Sequence, residues 1–367
     1  EIRYARTILP SGDLINLVPE DIETNLIPPG TIEAGMFVDA RLVRFELPQM
    51  QSGCIIDYCY TRKSRGQLLE GEFWQQIYVQ EPVQVSHYEL TIILPHEKTL
   101  HYQSHPSSEK KLDFIVRPEI SKSNYTTTYQ FQLKDLPPLT HEPFMPDKKD
   151  LAYSIAVSTI PSWEPLVEWY ATLIRDQTQT NSQIQNKVKE LTLGIFSQKE
   201  KIRKLYNFVT NEIDYVGIEL GIWAIKPHSS PRVFREKHGD CKDKSTLLCT
   251  MLSELGISSY PVLISAGKSR NINRKIPSLA YFNHMILAVK TKSNNFLFLD
   301  PTATGQPFDL LPVSDQNRWV MIVNPDARKN SSVDQPLYQF DKTPTQSNNH
   351  QIAKTSVQVS GSQTIIV

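Results

Sequence analysis

The chain of 367 residues has only four cysteines, no Cys-x-x-Cys pair, and no excess of either charge. Four scattered thiols cannot frame a disulfide scaffold, and without paired close cysteines the usual zinc spacing is missing. Lys and Arg together number 39, as do Asp and Glu. That balance argues against a nucleic-acid partner, whose binding domains usually carry a clear basic excess. Long apolar runs are absent too: Pro261–Ile264 and Met285–Val289 fall far below the ~18 residues that would indicate a membrane span. There is no phosphate-cradling glycine loop and no cofactor motif. Glycine, at 14, is outnumbered by proline, at 25, so connections are expected to be rigid. The redox compartment stays open. The chain opens on Glu1 and closes in an unfinished apolar run, and reads as a fragment of a longer protein with a truncated N-terminus.

What is present divides into two textures. Up to about residue 145, short runs alternate apolar and polar residues: Tyr88, Leu90, Ile92 and Leu94; Tyr129, Phe131 and Leu133; Val43, Phe45 and Leu47. A period of two with one polar face predicts half-buried strands, and many in series predict an antiparallel β-sandwich over 1–145. After Pro146 the period lengthens. Ser162 can open a helix with Leu166, Trp169, Tyr170 and Leu173 on one face; further helices are expected near Ile184–Leu193 and over Lys199–Glu212. Residues 146–195 thus read as a helical connector. Strands follow at Tyr260–Ile264, Tyr281–Val289 and Asn295–Leu299, giving an α+β core over 196–325. From Arg328 to about Lys354 the chain is polar and rich in Pro, Asn and Gln, so 326–367 reads as a linker and the start of a truncated β domain.

Chemistry concentrates in His238-Gly-Asp-Cys-Lys-Asp-Lys-Ser-Thr-Leu-Leu248. Gly239 permits a tight turn, Asp240 is a helix N-cap, and Gly256 a C-terminal stop. Leu248, Met251, Leu252 and Leu255 recur at helical spacing, and Cys241, two turns before Leu248, shares its face. A thiol in the first turn of a buried helix stands at the positive end of the dipole, where thiolate is favoured. Cys249, mid-helix, reads as a packing residue. Asp240, Lys242, Asp243 and Lys244 read as capping groups on a solvated face. Zinc bound by His228, His238, Cys241 and Cys249 does not suit their spacing.

A nucleophile needs a base. His284 heads the apolar strand Asn283-His-Met-Ile-Leu-Ala-Val289, and the next apolar strand ends in Asp300-Pro301. A hairpin centred between Ser293 and Asn294 places Asp300 opposite Leu287, three residues from His284, so alignment calls for a bulge or a turn centred nearer residue 292.

Gly-Asp-Cys at a helix start, Asn-His opening a long strand and Asp-Pro closing the next resemble the transglutaminase-like core of the papain-type cysteine enzymes. The likeness covers about residues 196–312, with Cys241, His284 and Asp300 in the family's order, 43 (284 − 241) and 16 (300 − 284) residues apart. Tyr215-Val-Gly-Ile-Glu-Leu-Gly221, Pro227 and Gly-Asp-Cys-Lys-Asp-Lys are similar to a bacterial subgroup in which a β-rich domain of unknown function precedes the core. Gly53-Cys-Ile-Ile-Asp-Tyr-Cys-Tyr60 and Pro143-Phe-Met-Pro146 match parts of that domain. The resemblance implies a multi-domain protein, a cysteine-protease-like core, and a catalytic triad of Cys241, His284 and Asp300. It also implies an amide-hydrolysing peptidase or amidase, or a transglutaminase, acting on a polypeptide or peptide-like substrate without cofactor or metal. Tyr215 and Trp223 are the side-chain candidates for the oxyanion site. Lys242 replaces the aromatic residue that follows the cysteine in many eukaryotic cross-linking members, which weakens the inference of protein cross-linking. The alternative is a non-catalytic binding or assembly module with the same fold. The resemblance would suit a periplasmic or cell-envelope location, and assigns no specific substrate.

Overall fold

A computed structural model describes residues 1–32, 35–64, 68–105, 116–267, 272–291, 295–324, 338–345, 357–360 and 363–366. The alternating segments form a sandwich of two three-stranded antiparallel sheets. One runs in the order Glu119–Lys122, Thr126–Leu136, Val85–Pro95; the other Trp74–Tyr78, Ser154–Ser158, His101–His105. Ile92, Leu94, Tyr129, Phe131 and Leu133 point inward from the first sheet and meet Ile155, Val157 and Tyr102 of the second. The predicted alternation is therefore the sandwich core.

Two expectations for this region need correction. Ser154–Ser158 lies in the segment read as a helical connector, yet it is the central strand of a sandwich sheet, with all five residues buried. Its Ser-Ile-Ala-Val-Ser run does alternate, with Ile155 and Val157 toward the sandwich core, but five residues with small partners between them are too short a signal beside the helix that follows. Leu42–Phe45 is a strand, but among the described residues it pairs only with Ile22–Leu26 in a two-stranded ribbon, and Val43 is 51% exposed. Its alternation marks a strand without a covered face.

The second half packs five helices, Trp163–Arg175, Ser182–Thr192, Gln198–Glu212, Ser230–Glu236 and Cys241–Ser253, with a five-stranded antiparallel sheet. The sheet order is Phe296–Leu299, His284–Lys290, Ser259–Ile264, Trp319–Val323, Tyr338–Lys342. The helix stripes pack as predicted: Ile184 and Val188, then Ile202, Leu205, Tyr206 and Val209, meet Leu248 and Leu252 in one core. The last strand corrects the linker reading. Tyr338–Lys342 pairs with Trp319–Val323, so the apolar positions Tyr338 and Phe340 within a polar stretch belong to the core sheet. The rest of the expected linker lies largely outside the described residues. Val357–Ser360 and Gln363–Ile366 pair as an antiparallel hairpin.

The two halves are joined through backbone as well as side chains. Met36–Val38 pairs in parallel with Gly217–Glu219, and a Cβ on Gly217 would stand 3.2 Å from Met36 Cγ. Asp39 accepts the Gly221 N–H at 2.9 Å, and His105 and Asn273 hydrogen-bond at 2.8 Å. No helix among the described residues is long and apolar enough to cross a membrane.

Candidate active site

Cys241 is the first residue of its helix and is buried. The expected cap is in place and reciprocal. Asp240 accepts the N–H groups of Lys242 and Asp243, while Asp243 accepts the N–H of Asp240, forming a capping box. Gly239 is required for a reason other than its backbone angle. A Cβ there would lie 2.6 Å from the Asp243 Cβ, so only glycine lets the chain pass this close to the helix.

The charged run around the thiol is not a solvated face. Asp240, Lys242, Asp243 and Lys244 are at most 4% exposed. Burial is tolerable because each has partners. Lys242 forms an ion pair with Asp240. Asp243 also accepts the backbone N–H of His228 at 2.6 Å and lies 3.2 Å from that residue's Nδ1. Lys244 donates to the carbonyls of Thr210 and Ile213, where the preceding long helix ends and its carbonyls lack helical partners. Burial lowers the pKa of Lys244 to about 8, although Asp300 and Asp214 oppose that shift. For Asp240, burial and the charge of Asp243 outweigh Lys242 and raise its pKa to about 6. From Cys241 to Leu252 every residue except Cys249 is buried, so the helix has no single apolar face. Its hydroxyls are accommodated locally: Ser245 donates to the Met285 carbonyl at 3.1 Å and Thr246 to that of Lys242 at 2.7 Å. Cys249 packs against the helical core as expected.

His284 begins its strand, and the pairing beyond it is regular: Leu287 opposite Leu299, Ala288 opposite Phe298, Val289 opposite Leu297. Continued by one residue, this register sets Asp300 opposite Ile286, not Leu287. His284 is two residues from Ile286, on the same strand face, so His284 and Asp300 meet diagonally and no bulge is needed. Their His284 Nε2 and Asp300 Oδ2 atoms are 3.2 Å apart. The hairpin turn itself, 292–294, lies outside the described residues.

Asp300 is held from three directions. The N–H and hydroxyl of Thr302 donate to Oδ1 at 2.9 and 2.7 Å, and Tyr206 donates its hydroxyl to the Asp300 carbonyl at 2.9 Å. Nε2 is directed to Asp300, and Cys241 stands near enough to His284 to favour its charged form. Burial alone would discourage the imidazolium. Hydrogen bonds to Asp300 and Cys241 outweigh it and hold the His284 pKa well above 6.5. Asp300 shows the complement: burial opposes its charge, but His284 and Thr302 hold its pKa below 3.8.

Sequence reasoning missed a fourth member. Asp315, 1% exposed, brings a carboxylate oxygen within 4.8 Å of those of Asp300 and the ring nitrogen of His284. Its Oδ1 accepts from Ser314, whereas Oδ2 has no protein donor. Burial, followed by the Asp300 charge, raises the Asp315 pKa to about 6. This set has the atom types of a metal site, and one hydrogen bond within it, between His284 and Asp300, is in place. Asp315 sits in Val313–Asp315, a short 3-10 turn with no periodic pattern, so nothing local singled it out.

Cys241 and His284 open onto a cavity of about 500 Å³, with Tyr170 and Asn283 also on its wall. Asn283 is fixed by two bonds to Ala266, accepting its N–H at 2.8 Å and donating to its carbonyl at 3.0 Å. Tyr170, read from sequence as helix core, is buried in the cluster that contains Cys241. Burial, then the charges of Cys241 and Asp240, push its pKa far upward. The two oxyanion candidates differ. Tyr215 lies on Asp214–Tyr215, which pairs in parallel with His238–Gly239 at the head of the Cys241 helix. Burial, then Cys241 and Asp240, raise its pKa, so it stays a hydroxyl donor at neutral pH. Trp223 instead stacks on His228, ring centroids 4.4 Å apart and planes within 8°. Its neighbours Ala224 and Ile225 line the cavity.

Comparison with known proteins agrees with this architecture. Residues 185–301 match the transglutaminase-like superfamily, and residues 1–140 match DUF3857, described as a domain of unknown function with a solved structure. The chain is similar in structure to a candidate protease from Parabacteroides distasonis, with a TM-score of 0.63 and 14% identity over 89% of this chain and 60% of the other. This chain thus spans less than two thirds of that protein's length, and the likeness shows a shared fold. Weaker likenesses are to a candidate cysteine protease from Cytophaga hutchinsonii and the periplasmic domain of TgpA from Pseudomonas aeruginosa. The first has a TM-score of 0.29 and 10% identity, covering 74% of this chain and 88% of the other. The second has a TM-score of 0.26 and 12% identity, covering 82% and 87%. No curated protein matches the chain.

Proposed function

From a chain that carries a transglutaminase-like core behind a DUF3857 domain, we propose a cysteine-nucleophile enzyme that cleaves an amide of a polypeptide or peptide-like substrate. The observation that carries this reading is His284, paired with Asp300 at 3.2 Å and sharing a cavity wall with Cys241. The raised His284 pKa favours the imidazolium that a thiolate needs as its partner. Cys241 Sγ bonds to the substrate carbonyl carbon, and the carbonyl π pair moves to oxygen. When the tetrahedral species collapses, the C–N bond breaks and the amine leaves with the proton from His284. Water then adds to the thioester, giving one proton to His284, and the C–S bond breaks to return the thiolate and release the acid. An amine in place of water would give transamidation. We favour water, because no feature of the sequence excludes it.

The developing oxyanion needs donors. Asp240 occupies the N–H groups of Lys242 and Asp243, so the Cys241 N–H serves at the helix head. Tyr215, whose strand pairs with His238–Gly239 at the head of the Cys241 helix, is the side-chain donor we favour over Trp223.

Alkylation by iodoacetamide at pH ~6 tests the pair. The expected rate at Cys241 exceeds that of free cysteine by about tenfold or more, as for a nucleophile paired with an imidazolium at a helix start. His284→Ala should abolish the excess. A rate equal to free cysteine, unchanged in that variant, would refute the nucleophile and favour a binding module. Incubation with a glutamine-containing peptide and an amine probe then separates the chemistries. New termini or ammonia without incorporation mean hydrolysis, and efficient incorporation would overturn the preference for water.

A further inference from the structure

The cavity beside Cys241 is built by both halves of the chain. Its core-side wall includes Ile225, Leu279 and Phe282; its opposite wall includes Met36, Leu68 and Trp74 from the strand-rich half. Trp74, Ile225 and Phe282 pack against the same apolar cluster that contains Cys241 and Leu279. Met36 is held there by its strand's pairing with Gly217–Glu219, where Gly217 leaves room for it.

Charge is sparse in this wall. Lys242 lines it but is engaged by Asp240. Glu219 also lines it, and no ion pair involves it among the described residues. A volume of about 500 Å³ falls within the ~300–1,000 Å³ of small-ligand sites, room enough for a large side chain. Met36, Leu68, Ile225, Leu279 and Phe282 offer no hydrogen bond to an amide or carboxylate, and Glu219 repels a second carboxylate.

We propose that this cavity receives a bulky apolar side chain of the acyl donor, and that Met36 and Trp74 make the strand-rich domain part of the specificity pocket. The inference rests on Cys241 being the nucleophile. It narrows the peptide-like substrates to those with Phe- or Leu-like residues at or next to the reacting carbonyl, and disfavours glutamine and acidic residues there.

Dipeptidyl acyloxymethyl ketones test this on the intact chain. The thiolate displaces the carboxylate leaving group, a C–S bond forms as the C–O bond breaks, and intact mass reports the adduct. With Phe, Leu, Gln or Asp placed in turn at each of the two positions, the Phe and Leu probes should modify Cys241 at least about tenfold faster than Gln at one position. Asp should be slower still. Trp74→Ala and Met36→Ala should each reduce the Phe-to-Gln rate ratio several-fold, and Trp74→Phe should keep most of it. The wild-type ratio decides the matter even if a variant folds poorly. Equal rates for all four probes, or a preference for Gln or Asp, would overturn the pocket while leaving the nucleophile in place. Absence of modification at Cys241 by every ketone and by iodoacetamide would overturn both. A reaction with iodoacetamide alone would overturn only the pocket.

Discussion

Gly239→Ala isolates a single steric demand next to the thiol. The new methyl would meet the Asp243 Cβ at 2.6 Å and its Oδ2 at 3.0 Å. Ordinary carbon contacts begin near ~3.5 Å, so about 1 Å must be recovered by moving the turn or the helix. Overpacking of that kind costs about 1–3 kcal/mol. Any shift of Asp243 also strains the bond that caps Asp240 and the one that holds the His228 N–H, and loss of a cap adds about 1 kcal/mol. The expected total is about 2–4 kcal/mol. With a urea slope near ~2 kcal/mol/M, the core transition should move about 1–2 M lower. Tryptophan fluorescence can follow it, since Trp163 and Trp169 both belong to the core cluster around Cys241. The tightest contact is between two Cβ atoms, so Asp243→Ala in the same chain should give little relief, whereas Asp243→Gly should relieve the clash at the cost of one helical glycine, about 1 kcal/mol, and of the carboxylate bonds to Asp240 and His228. A loss below about 0.5 kcal/mol for Gly239→Ala, or rescue by Asp243→Ala, would refute the reasoning.

Two other perturbations address buried charge. Lys242→Met should destabilise by about 3–5 kcal/mol because it strands the Asp240 carboxylate, and adding Asp240→Asn, which keeps the cap, should recover most of that. Equal midpoints for the single and double variants in urea unfolding would remove the ion pair from the account. Asp315, with a pKa raised from 3.8 to about 6, binds its proton more tightly when folded. Its contribution to stability is therefore complete below pH 3.8 and is lost as pH rises through about 6. Asp315→Asn, neutral throughout, should remove about 3 kcal/mol of that decline between pH ~4 and ~7. Urea midpoints that fall in parallel for variant and wild type would contradict this.

Much of the fold was legible because its physics is local. Alternation from Tyr88 to Leu94 and from Tyr129 to Leu133 marked the inward faces of one sandwich sheet, and helical spacing marked Ile202, Leu205, Tyr206 and Val209. Glycine and aspartate before Cys241 announced a capped helix start, since short polar side chains reach the first free N–H groups. Ser154–Ser158 and Tyr338–Lys342 were hidden for opposite reasons. The first is a five-residue run buried on both faces, with small residues where a polar face would show; the second is a short strand within a polar stretch.

Residue order alone determined that a helix-start thiol, a strand-start histidine and a strand-end aspartate occur in sequence. Tertiary structure decided whether they meet. Hairpin register is set by pairing across a turn, and a one-residue change in that register turned an apparent mismatch of His284 and Asp300 into a 3.2 Å diagonal contact. Burial was likewise a tertiary outcome: Asp240, Lys242, Asp243 and Lys244 look like a surface run until neighbouring elements cover them and supply their partners. The same holds for Asp315, which lies 15 residues (315 − 300) beyond Asp300 yet beside it in space, and for Met36 and Trp74 in the wall of the Cys241 cavity. Sequence carries the periodicity of each element, whereas contacts between elements depend on how their faces pack, and the site is made of such contacts.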